Sequence, residues 1–153
     1  MQSLYIDHSH VGEIVRRTAT VLAATVASVA AMLITAGPAA ASTPSGCSSV
    51  SQIGSTGYIS YHGSKVASVK QYYGCGKNYS YLWVWESFRD HSWQNASAAI
   101  LTSNGDAHGT VTKSRPAYEV WSTGADTASD CTRGWGRIQI ASEPFVGYSS
   151  QVC

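Results

Sequence analysis

The residues of this chain with the most constrained chemistry are four cysteines, Cys47, Cys75, Cys131 and Cys153. All four follow a segment with the marks of an export signal, and thiols delivered to an oxidising compartment pair as disulfides. Four cysteines allow three pairings. The sequential one, Cys47–Cys75 with Cys131–Cys153, is preferred over the nested one, Cys47–Cys153 with Cys75–Cys131, although spacing supplies separation and not geometry. Each short loop so closed is worth about 3.5 kcal/mol in the chain-entropy model, on the order of the whole stability of a marginal domain. Zinc is the rival use of four thiolates. No C-x-x-C spacing supports it, and no metal or other cofactor is expected.

Other reactive groups are sparse. Beyond residue 41 the histidines are His62, His91 and His108, and none lies two or four residues from another. There is no G-x-S-x-G elbow and no phosphate-binding G-x-x-x-x-G-K-[ST] loop. A ribonuclease-like site needs a general base, an arginine for the phosphate and a general acid. Glu119 with Arg133 or Arg137 imitates the first two. No histidine follows Arg137, and the candidate acid, His108, precedes Glu119, so the acid is missing from its expected place. The plainer reading makes Glu119 a solvent-facing strand residue and Arg137 a surface charge. Asp106, Asp126 and Asp130 lack the D-x-D-x-D-G order of a calcium loop and read as turn residues.

The leader precedes these groups. Arg16 and Arg17 stand before an apolar stretch over residues 18–36, Gly37-Pro38 breaks it, and Ala39-Ala40-Ala41 supplies the small residues signal peptidase needs, so the cut falls before Ser42. Alanine and threonine dominate the stretch, which argues against a retained membrane anchor. Residues 1–14 are polar and partly acidic, unlike a signal n-region, and a GTG start codon reads as Val internally. Translation is therefore expected to begin at Val15, with Val11 as second choice, which makes 1–14 a start-site artefact and 15–41 the signal peptide. The remainder, residues 42–153, is about one domain in size. Eight Lys and Arg against seven Asp and Glu leave it near +1, with no basic stripe for nucleic acid. The expectation is a secreted, extracellular protein with no nucleic-acid partner and no membrane association once the signal is removed.

Strands must position what chemistry there is. β-prone runs occur at 57–61, 66–73 and 79–88, with His62-Gly63-Ser64 and Gly74-Cys75-Gly76-Lys77-Asn78 as turns between them. Residues 96–102 read as either helix or strand, but Asn104-Gly105 pairs them as a hairpin with 110–114. Residues 118–122 and 135–140 are expected to form a last hairpin around the loop holding Cys131. Residues 42–54 are expected to be irregular, anchored only by Cys47, with a single β domain over 55–153. The fold class is therefore all-β, an antiparallel sandwich or small barrel of about seven short strands stapled by two disulfides.

Alternation along 79–88 places Tyr79, Tyr81, Trp83 and Trp85 on one side and Leu82, Val84 and Phe88 on the other. If the second set is core, the first is an open aromatic strip able to stack on sugar rings or anchor a protein. The commoner arrangement buries Trp83 and Trp85 in the core. Trp93 and Trp121 are the neighbouring aromatic candidates.

One local motif bears a resemblance. Cys131-Thr132-Arg133-Gly134-Trp135-Gly136-Arg137-Ile138 resembles the Cys-x-x-x-Trp-Ala-Arg-Val signature of small secreted actinobacterial domains of unknown function. The resemblance implies a secreted, actinobacterial, β-rich protein and carries no activity over to it. The leading expectation is a non-enzymatic secreted binding module, its partner a cell-envelope polysaccharide or an extracellular protein met through the aromatic strip. An inhibitor or antagonistic factor comes second and the ribonuclease-like hydrolase third.

Overall fold

The structure, a computed structural model, describes residues 42–153. The start site, leader and cleavage expectations concern residues outside that range. Eight strands run β1 Ser51–Tyr61, β2 Ser64–Gly74, β3 Lys77–Val84, β4 Asn95–Thr102, β5 Ala107–Ser114, β6 Glu119–Trp121, β7 Thr132–Ile140 and β8 Glu143–Tyr148, with one 3-10 turn at Glu86–Phe88. They form two four-stranded antiparallel sheets, in the orders β1-β2-β3-β6 and β5-β4-β7-β8. The expected all-β sandwich is what forms, with one strand more than the seven expected.

Two hairpins of the first sheet turn on residue pairs with positive φ, His62-Gly63 and Cys75-Gly76. Both central residues of a type I′ turn need that conformation, and a glycine in the second position relieves half the cost. Alternation then sorts the side chains. Val69, Leu82 and Val120 lie in register across β2, β3 and β6, as do Ala67 and Val84 across β2 and β3, and all are buried between the sheets. Ile59, Val66, Phe88, Trp93, Ala96, Ala98, Ile138 and Ile140 complete this core.

The sandwich is thin where β7 crosses the first sheet. Its inward positions include Gly134 and Gly136, and a Cβ on Gly136 would lie 2.6 Å from Val69 Cγ2 and 2.8 Å from Leu82 Cδ1. Large residues of β7 therefore face out: Arg133, Trp135, Arg137 and Gln139 alternate with the buried Thr132, Gly134, Gly136, Ile138 and Ile140. Toward the Cys75 end the interior turns polar. Buried Gln71 of the first sheet donates from Nε2 to Thr132 Oγ1 of the second (2.7 Å), and the Ser80 hydroxyl donates to the Trp135 carbonyl (3.0 Å). One side of the sandwich closes through β1 and the chain after β8, where Ser150 N–H donates to the Ser55 carbonyl (3.1 Å) and a Cβ on Gly57 would overlap the Tyr148 carbonyl.

Three expectations need correction. Residues 118–122 and 135–140 do not form a hairpin: β6 pairs with β3 in one sheet, β7 with β4 and β8 in the other, and the Cys131 loop crosses between sheets. The last hairpin is β7–β8, turning on Ala141-Ser142 with Ala141 at φ 50°. Alanine there carries no turn signature, because only tertiary pairing holds it in a conformation L-residues avoid. Second, residues 42–54 are not irregular throughout, since β1 begins at Ser51 and pairs with β2. Third, the apolar run ends as a strand at Val84, and Phe88 reaches the core from the 3-10 turn.

The disulfides are Cys47–Cys75 and Cys131–Cys153, the sequential pairing. The first lashes residues 42–50 across the outer face of the first sheet. The second ties the chain end to the start of β7, where Val152 and Thr132 exchange backbone hydrogen bonds. No helix among the described residues is long and apolar enough to cross a membrane.

Candidate functional site

The outer face of the first sheet carries the aromatic strip. Cross-strand register arranges it in rows: Gln52, Tyr72 and Tyr79; then Lys70, Tyr81 and Trp121; then Tyr58, Ser68, Trp83 and Glu119. Trp85 continues the strip one step beyond β3, its backbone N–H donating to the Val66 carbonyl (2.9 Å). Leu82, Val84 and Phe88 face the inter-sheet core, so the strip lies outside it.

Outside the core does not mean open. Tyr72, Tyr79, Tyr81 and Trp121 form a second buried cluster with Cys47, and Val50 packs on it. Ring centroids of Tyr72 and Tyr81 lie 4.9 Å and 4.6 Å from that of Trp121, both tilted to it, and the two tyrosines meet edge to face at 6.2 Å, so the three rings form one cluster. The strap over residues 42–50 is held by more than its disulfide. Trp121 Nε1–H donates to Ser42 Oγ (3.0 Å), the Ser42 hydroxyl donates to Glu119 Oε1, and the Tyr81 hydroxyl donates to Glu119 Oε2 (3.1 Å). A carboxylate fed by two hydroxyls thus joins the strap to the sheet. Trp93 faces the inter-sheet core and is buried. Of the six aromatic candidates, Tyr79, Tyr81, Trp93 and Trp121 are therefore covered, and only Trp83 and Trp85 are part-exposed.

Burial raises the Tyr72 and Tyr81 hydroxyl pKa values above the ordinary phenol range, and the Glu119 charge raises Tyr81 further. A folded value above the unfolded value of about 10 means the native state holds the proton more tightly. The resulting stability is present below pH ~10 and is lost as pH rises toward the folded values. Alkaline titration is therefore expected to show phenolate absorbance rising in the same step as unfolding. Tyr81→Phe should move that step to higher pH, and an unchanged step would rule out Tyr81 as its origin.

The open end of the strip is built differently. Arg89 lies over Trp83 (4.8 Å to the ring centre) and over Tyr118 (4.6 Å), covering one face of Trp83. Tyr58, 42% exposed, meets Trp85 edge to face at 5.9 Å, with Lys65 Nζ 3.8 Å over its ring. Lys65 also lines a cleft of about 320 Å³ with Tyr61, His62, Ser64, Val66, Ser87, Phe88 and His91. His91 stacks on Phe88 at 4.6 Å, and His62 packs edgewise on Tyr61 at 4.1 Å. The cleft has the volume of a small-ligand site and is lined by aromatic rings together with hydroxyl-, imidazole- and ammonium-bearing side chains.

Tyr58, Tyr61, Lys65, His62 and His91 were not legible as site residues. The β1 alternation and the His62-Gly63 turn could be read, but not that this turn meets the 3-10 segment after β3. Comparison with protein-family models, curated proteins and solved structures finds no match to this chain. The site's reading rests on its own geometry.

The ribonuclease-like set does not assemble. Glu119 lies on the outer face of the first sheet, whereas Arg133 and Arg137 lie on the outer face of the second, with the sandwich between them. His108 is exposed on edge strand β5. No group of three or more His, Cys, Asp or Glu among the described residues could hold a metal ion.

Proposed function

We propose that this protein is an exported binding module that recognises polysaccharide at the open end of its aromatic strip. The carrying observation is the continuity of the Tyr58–Trp85 pair with the neighbouring cleft through Lys65. A sugar ring offers an apolar C–H face to an aromatic side chain and a rim of hydroxyls to polar groups. Tyr58 and Trp85 supply the first partner; His62, Ser64, Lys65, Ser87 and His91 supply the second. Two disulfides and an all-β fold are compatible with life outside the cell.

The test is retention of the purified, oxidised protein on cellulose, chitin, xylan and peptidoglycan, followed by titration with soluble fragments of whichever retains it. Trp85→Ala and Tyr58→Ala are each expected to weaken binding about tenfold or more, the cost of truncating a central aromatic anchor. Retention on none of the four polymers, or full affinity in both variants, would sink the proposal.

A further inference from the structure

The outer face of the second sheet inverts the usual pattern of a sandwich strand. β7 turns Gly134 and Gly136 inward and presents Arg133, Trp135 and Arg137 outward. Register places Tyr148 of β8 and Ala99 of β4 on either side of Trp135, and Val146 and Ser97 on either side of Arg137. Ser97 and Ala99 are small and wholly buried, so the larger side chains stand over a low floor. Tyr148 and Val146 are 40% and 44% exposed, two of the most exposed large apolar side chains of the described region.

Neither arginine has a carboxylate partner. The one ion pair among the described residues is Lys77–Asp126, on the other sheet. Arg133 lies over the Tyr148 ring (4.3 Å), which leaves the edge of its guanidinium free to donate. Arg137 reaches Asn95 Oδ1 only at 3.5 Å, and its buried Nε has no acceptor. Arg133 and Arg137 stand about 13 Å apart along the strand with Trp135 midway. An aromatic ring thus lies between two unneutralised, fork-shaped donors.

We infer that this face is a second binding surface, independent of the Tyr58–Trp85 end, and that its ligand is a uronic-acid polysaccharide. A pyranose stacked on Trp135 carries its neighbours' carboxylates toward the two guanidinium groups, whose planar forks match a carboxylate. A polyphosphate chain satisfies the arginines but has no ring for Trp135. Nucleic acid has both, yet its affinity comes from neutralising many phosphates, and this domain's net charge is only about +1.

The experiment is calorimetric titration of the oxidised full chain with polygalacturonate oligomers, with neutral glucan of equal length, inorganic polyphosphate and single-stranded DNA run beside it. Polygalacturonate is expected to bind and neutral glucan not to compete at this face. The Arg133→Gln/Arg137→Gln double variant should lose tenfold or more and flatten the salt dependence, with an unchanged thermal midpoint. Lys77→Gln, a charge loss on the other sheet, should bind as the parent does. Because Trp135 substitution risks the fold, ring contact is read instead from a Trp fluorescence change on binding that survives in Trp85→Phe. Parent-like affinity in the double variant, tighter binding of polyphosphate or DNA, or no binding of polygalacturonate would each overturn the inference.

Discussion

Replacing Cys47 and Cys75 together by serine is expected to lower the unfolding free energy by about 3.5 kcal/mol and to open a buried aromatic cluster to solvent. The bridge spans 28 positions, and releasing it returns that loop's closure entropy to the unfolded chain. The native state loses as well. Tyr72, Tyr79, Tyr81 and Trp121 pack with Cys47 and Val50 of the strap, and without the bridge the strap keeps the Trp121–Ser42–Glu119 hydrogen bonds and the packing of Pro44, Ser49 and Val50. Hydrogen bonds of this exposure each contribute about 1 kcal/mol, too little to order nine residues alone. Urea unfolding should show the loss in stability, and acrylamide should quench tryptophan more strongly in the folded variant than in the parent. The matching Cys131→Ser/Cys153→Ser variant separates the two effects. Its loop of 22 positions carries about the same entropy, but it covers none of the strip. Equal quenching in both variants would show that the strap does not depend on its disulfide.

Gly57→Ala is expected to destabilise the protein by about 3 kcal/mol or more, beyond the ordinary range for a surface strand. Gly57 does not have a positive φ, so backbone conformation is not the reason. A Cβ at this position would overlap the carbonyl of Tyr148, a backbone group that cannot rotate aside, and relief means parting β1 from the end of β8. That junction closes one side of the sandwich through Ser55 and Ser150. Gly136→Ala meets Val69 and Leu82 methyl groups instead, which can shift, so about 1–3 kcal/mol is expected there. Chemical denaturation of both variants checks the order, and a Gly57→Ala loss below that of Gly136→Ala would show that β1 and β8 separate easily.

Local chemistry made much of this molecule legible in advance. Alternation along 79–84 divides Leu82 and Val84 from Tyr79, Tyr81 and Trp83 in any strand, because successive side chains must take opposite faces. Asn104-Gly105 and the glycines following His62 and Cys75 declare turns, because positive φ is costly for other residues. Cysteine number and spacing indicated bridges, and the sequential pairing is the one that forms.

What remained belonged to the fold, for reasons of the same kind. Periodicity states that two faces differ but not what covers each, so it could not reveal that residues 42–50 bury half of the aromatic strip. Strands adjacent in sequence pair only when their turn permits it; the β6–β7 loop leads to the other sheet, so Trp121 and Trp135 lie on opposite outer faces. The hidden pairing of β7 with β8 turns on Ala141, which takes a left-handed conformation because two strands hold it there. Most telling is Arg133-Gly134-Trp135-Gly136-Arg137. Hydrophobicity alone sends its tryptophan inward, and only the close approach of Val69 and Leu82 requires glycine inside, leaving Trp135 and both arginines on the surface.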